Sequence, residues 1–302
     1  GAGKGLTKAG TGTLILSGTN SYDGGTTING GVLQFNSSGA IAGSGQNVAV
    51  NSSGAAAFGY AFDQSTLTGR IVAGSTGTVA LAADNSNNLD FAASGLTKLS
   101  LGASSGSYTY SGSLWTPSGN IYRLGGGGGT LVFNPTLTGA SNSLLVGGNL
   151  SGGTVTVVNA GTYGGGTTVT GARGSFTAAI GSASGMGLLQ TNVLAGASTT
   201  PFGTNAAITL NNGALGLGTA GTLAGGEAVN AAGYNITYNG QNAINLKAGS
   251  GSVTLAANSL KRVNNGVLML NPTSGATLGG TEKVTIASGA PTVTNGMVAP
   301  FY

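Results

Sequence analysis

"SYDGGTTING" fills positions 21–30 and "TYGGGTTVTG" fills 162–171. Tyr22 falls on Tyr163 under a shift of 141 residues (163 − 22), and the agreement extends both ways without a gap. Gly12-Thr13-Leu14 falls on Gly153-Thr154-Val155, and Phe35 falls on Phe176. An ungapped internal match of this extent marks a structural unit used more than once. The shared phrase also says what the unit is. Its glycines suit a corner where φ > 0 is required, and the Thr-Thr-Ile or Thr-Thr-Val that follows suits a strand. Stacked copies of that strand would turn the branched residue inward and let the threonines bond one another.

Strand-like runs recur throughout: "TLIL" (13–16), "VLQF" (32–35), "NVAV" (47–50), "TLVF" (130–133), "SLLV" (143–146), "TVTVV" (154–158), "AITL" (207–210), "NITY" (235–238), "SVTL" (252–255), "VLML" (267–270) and "KVTI" (283–286). Gly, Asn or Ser bounds each one, which is strand-and-turn punctuation. Helix caps followed by a 3.6-residue apolar stripe are missing, and each interior glycine costs a helix about 1 kcal/mol relative to Ala. The reading is all-β. Two-residue hairpin signals between matched strands are scarce, so repetition favours a parallel β-solenoid over a sandwich. Coils of about 20–25 residues give about 12–15 coils and a rod of about 60–70 Å. A second motif supports this: "GGGTLVFNP" (127–135) resembles "NNGVLMLNP" (264–272), each strand closed by Asn-Pro.

Composition narrows function. The 302 residues include 60 Gly, 40% hydrophobic and only 5% charged residues, with ten Lys and Arg and a net charge of +4. Lys261-Arg262 is the only adjacent basic pair, so no stripe tracks phosphates and no nucleic-acid partner is expected. Cys and His are both absent, which removes disulfides, thiolate chemistry, the usual zinc ligands and the usual general base. No apolar run reaches the ~18 residues of a membrane-spanning helix. Residue 1 does not begin a signal peptide, so the chain is expected to be a segment of a longer protein.

The stretch "GLTKAGTGTLILSGTNSYDGGTTINGGVLQF" (5–35) closely resembles the autotransporter-associated β-strand repeat, also called the passenger-associated transport repeat. The residues that match its pattern run from Gly5, Leu6 and Lys8 through Gly12, Thr13, Leu14, Asn20 and Tyr22 to Gly24, Gly25, Gly30, Gly31 and Leu33. Residues 153–176 resemble a degenerate second copy that lacks the Leu-x-Lys lead-in. The resemblance implies a right-handed parallel β-helix that is exported and displayed at the bacterial cell surface or released outside the cell.

Candidate chemistry is thin. "GASSG" (102–106) fits a nucleophile elbow around Ser104, but a triad needs a histidine; a Ser-Lys pair with Lys98 stays open, and a turn is the preferred reading. "GLGTAG" (216–221) is uninformative in so glycine-rich a chain. "DNSNNLD" (84–90) offers hard oxygens but fits no calcium loop and reads as a turn. The acids Asp23, Asp63, Asp84, Asp90, Glu227 and Glu282 include no close pair for glycoside cleavage. No catalytic, cofactor or metal residue is assigned, and the chain is not expected to be an enzyme. The aromatics Tyr108, Tyr110, Trp115 and Tyr122 fall in one stretch and form a candidate binding face for a glycan or cell-surface ligand.

These observations predict one solenoid over 1–302, with a loop-bearing insertion in 51–125 and C-terminal coils over 200–302. The expected role is an extracellular structural stalk, fibre or passenger rod that self-associates end to end or laterally, in part through the apolar "MVAPFY" tail. An adhesin using the 108–122 aromatics is the alternative, and a polysaccharide-processing enzyme the remote one.

Overall fold

Strands stack here because short β-branched and Leu runs alternate with glycine corners. The computed structural model describes residues 3–45, 47–113, 115–147, 152–171, 187–204, 207–272 and 278–288, with the strand pairs 293–294 and 297–298. A twelve-stranded sheet runs the length of the molecule, from Thr13–Leu16 to Glu282–Ser288, with every neighbour in it parallel. Beside it, Leu6–Lys8, Thr26–Ile28 and Val48–Val50 form a three-stranded sheet at the N-terminal end. Seven strands, from Ser107–Tyr110 to Val267–Pro272, form a second long face in the C-terminal part. This is a β-solenoid, and at the parallel-strand spacing its twelve-stranded sheet is about 50 Å long.

Like residues lie over like along the axis. Leu33, Ala56, Val79, Leu101, Leu124, Val146, Val169 and Leu210 follow one another in register and are all fully buried. On the seven-stranded face Leu131, Val155, Leu189, Leu215 and Ile244 do the same. Each such side chain contributes about 1.5–3 kcal/mol by leaving water, and it does so against its neighbouring coils rather than a common centre. Aromatics join the ladders where they fit: Tyr110 stacks on Phe133 with centroids 5.6 Å apart.

Coil lengths differ from expectation. The ladder crosses 51–125 in steps of 22 or 23 residues (78 − 55, 100 − 78, 124 − 101). That segment does hold the helix Gln64–Arg70, capped by Asp63 accepting from the Thr66 amide. The longest step is 41 residues (208 − 167), between Thr167 and Ile208. No helix among the described residues is long and apolar enough to cross a membrane. Most of the "MVAPFY" tail lies outside the described residues.

Candidate functional site

Two of the four residues of the aromatic stretch, Tyr110 and Tyr122, lie in the core. Tyr110 is fully buried in the core, where its hydroxyl accepts from the Leu89 amide at 3.2 Å. Burial pushes its phenol up to about 12. Tyr122 is buried too and donates to the Thr138 carbonyl at 3.0 Å. Tyr108 is half-buried against the same core. The Trp115 backbone pairs in register with Leu89, and its side chain lies outside the described residues. The spacing Tyr108/Tyr110 is that of one strand face, and that face is the inner one.

The polar candidates are taken up in hydrogen bonds within the fold, most of them between coils. Ser104 is buried, and its hydroxyl donates to the Leu81 carbonyl at 3.2 Å. Asp84 accepts from the Thr109 amide at 2.8 Å, and Asp90 from the Ala93 amide at 2.9 Å. Asn85 is buried and donates to the Phe62 carbonyl at 2.9 Å. "GLGTAG" begins in the strand Gly213–Leu217, not at a helix N-terminus.

The repeated phrase builds the same corner twice. In the first copy the Tyr22 hydroxyl meets Thr26 Oγ1 at 2.8 Å. In the second, Tyr163 meets Thr167 Oγ1 at 2.6 Å. The tyrosine four residues earlier reaches the first threonine of each pair, whose register neighbours are Leu6 and Val48 in the first copy and Leu144 and Ile208 in the second. The inward branched residues Ile28 and Val169 are fully buried, as the pattern required. The glycines repeat in geometry as well as in letter: Gly25 has φ +81° and Gly166 +87°. A Cβ on either would sit 3.2 Å from a carbonyl of the next coil, that of Asn47 or Ala207.

Lys8 explains the Leu-x-Lys lead-in. It is buried, and its ammonium donates to the carbonyls of Ala9 at 2.8 Å, Gly10 at 3.0 Å and Gly30 at 3.0 Å. A buried charge is tolerated only with such full satisfaction. Gly31, at φ +65°, leaves the room: a Cβ there would lie 2.7 Å from Lys8 Nζ. The lysine therefore clamps two successive coils through their backbones.

One functional feature escaped the sequence: the corners carry asparagine bridges from coil to coil, such as Asn51 donating to Asn29 Oδ1 at 2.6 Å. The signal was the recurrence of Asn two or three residues ahead of a Gly-led strand, as Asn29 before Gly31 and Asn51 before Gly54.

Among curated proteins and among solved structures, nothing matches this chain. One family does match in part: residues 6–35, the segment holding the Lys8 clamp and the Tyr22 latch, match the passenger-associated transport repeat.

Proposed function

We propose that this chain is an extracellular structural module, a segment of a stalk, fibre or passenger rod, that extends by end-to-end stacking. The solenoid fold and the repeat fit an autotransporter passenger structural module, and the repeat family implies a secreted or cell-surface protein. The observation that carries the reading is the parallel ladder of twelve strands from Thr13 to Ser288. Every coil is held to the next by several backbone hydrogen bonds, so the rod resists bending and offers few backbone segments to a protease.

The stacking would engage the N-terminal edge. Among the described residues, Thr13–Leu16 pairs on one side only, with Gly31–Phe35. Leu14 is 38% exposed although its register partner Leu33 is fully buried, and Ile15 is 52% exposed. A strand added in parallel, from a second copy or from a preceding coil of a longer chain, would satisfy the open backbone groups and cover Leu14. Between copies such a contact is heterologous and propagates as a filament. Sedimentation velocity over a concentration series, on the chain and on Leu14→Lys, tests this: association that the variant loses is expected. A strict monomer at high concentration retires the stacking, and compact round particles in negative stain retire the rod.

A further inference from the structure

Regular coils produce flat ladders, so a concavity needs coils of unequal length. Such a concavity opens beside the 41-residue step. A cleft of about 470 Å³ is lined by Thr136, Val158, Asn159, Asn192 and Leu194 among others. A second, of about 290 Å³, adjoins it over the outer face of the seven-stranded sheet and shares Val158 and Asn192 with it. Together they cross successive coils: Thr136, Asn159, Asn192 and Ala220 each follow one strand of that sheet.

We propose that this cleft binds a linear, uncharged glycan. No charged residue lines either part, which disfavours phosphate, sulfate and uronate ligands. The floor is preorganised: Gln190 donates to Thr156 Oγ1 at 2.9 Å and accepts from the Thr219 hydroxyl at 2.8 Å. Asn192 Oδ1 accepts from the Ala220 amide at 3.0 Å, and Asn159 Nδ2 donates to the Asn134 carbonyl. Each asparagine thus has one end anchored. Among the described residues the other ends, Asn192 Nδ2 and Asn159 Oδ1, meet no protein partner. A donor and an acceptor on neighbouring coils, flanked by exposed Val158 and Leu194, suit a polymer with hydroxyls at its edges and C–H faces between them. An extended peptide fits less well. The strands under the cleft, Thr130–Phe133, Gly153–Val157 and Gly187–Thr191, are paired on both sides and have no edge for a peptide backbone to join.

The site lies on the flank of the rod, so it can fail without touching the structural reading. The test is a microarray of neutral, uronic-acid and sulfated glycans with an added set of peptides, probed with the whole chain, with Asn159→Ala and with Leu194→Glu. Circular dichroism confirms the fold of each variant. Signal confined to linear neutral glycans is expected. It should fall about ten-fold for Leu194→Glu, and several-fold for Asn159→Ala. No signal, a preference for charged glycans or peptides, or signal unchanged in both variants overturns the proposal.

Discussion

The first sixty residues and the last hundred build the same corner on opposite edges of the same sheet. In "TTINGGVLQF" (26–35) and "VAVNSSGAAAF" (48–58), a strand of the three-stranded sheet turns through Asn and Gly into the twelve-stranded one. In "AITLNNGALGL" (207–217) and "LKRVNNGVLML" (260–270), the twelve-stranded sheet supplies the first strand and the corner leads away from it. The parts are alike. Glycines lead the second strand: Gly31, stacked in register on Gly54, in the first region and Gly213 in the last. Asparagines bridge coils, Asn51 to Asn29 at 2.6 Å and Asn264 to Asn239 at 3.3 Å. A corner is a local property, set by φ > 0 and a short amide side chain. The face it borders depends on everything stacked before it.

The corner from the twelve-stranded to the seven-stranded sheet is first made between Ser100–Ala103 and Ser107–Tyr110, and in the next coil it runs through "LGGGGG" (124–129). There the twelve-stranded ladder narrows to one paired position, Leu124 with Leu101. Gly125, Gly126, Gly127 and Gly128 all have positive φ, between +80° and +99°. Their backbone keeps the bonding continuous, Gly125 donating to the Leu101 carbonyl at 2.7 Å and Ala103 to the Gly126 carbonyl at 3.2 Å. Five glycines in sequence are thus a backbone splice between the two sheets.

Alkali should separate the two regions most sharply. Burial raises the phenols of Tyr163, Tyr234 and Tyr238 in the later coils and of Tyr110 on the first strand of the seven-stranded sheet, against Tyr60 alone in the N-terminal coils. An unfolded tyrosine loses its proton near pH 10, where these stay protonated in the fold. The unfolded state therefore binds fewer protons above about pH 10, and stability falls as pH rises. For Tyr110 the loss continues to about pH 12. Proteolysis mapped along the chain while pH is raised should show the C-terminal coils opening first. Loss of both regions at one pH would mean that the splice couples them fully.

The splice itself is the next target. A Cβ at Gly126 would overlap the Thr78 side chain, whereas one at Gly128 meets nothing within 4 Å. Gly126→Val should cost about 4 kcal/mol, from the left-handed backbone plus overpacking. Gly128→Ala pays the backbone alone, about 1 kcal/mol. Urea unfolding of the two variants measures the difference. Equal losses would show that φ, not crowding, dictates the glycine run.

Much of this was legible before any coordinates. Strand after strand, from "TLIL" to "KVTI", lies where the β-branched runs predicted, because alternation and glycine punctuation are local signals. The helix Gln64–Arg70 was missed, since its one strong signal is the Asp63 cap ahead of a Thr-rich segment. The burial of Tyr110 was not legible, for a definite reason. Tyr108 and Tyr110 alternate as any half-buried strand does, and alternation cannot say which side is in. The 41-residue coil and its cleft were invisible, because coil length shows only once register is known.

A smaller effect tests whether the Leu-x-Lys lead-in is a clamp. Lys8→Met removes the ammonium from three carbonyls and should cost the first coil about 2 kcal/mol. Because a solenoid's stability is a sum of neighbour terms, the loss should stay local. Hydrogen exchange should speed at the Thr26–Ile28 amides and not at Thr167–Thr170.

The finest comparison sets the two latches against each other. Tyr163 is 1% exposed and lies under the extra residues of the longest coil: Thr204 donates to its carbonyl at 2.9 Å. Thr167 gives its own proton to the Phe202 carbonyl at 2.9 Å, so the Tyr163 hydroxyl is the donor in the latch. Tyr163→Phe leaves Thr167 with its bond to Phe202 and should cost about 1 kcal/mol. Tyr22 is only half-buried, and water can replace its bond, so Tyr22→Phe should cost about half of that. Both losses read out as shifts in the urea midpoint at constant slope. If Tyr22→Phe proved the costlier, the latch would matter most at the open end of the stack, and closing the end, rather than shaping the corner, would be its main contribution.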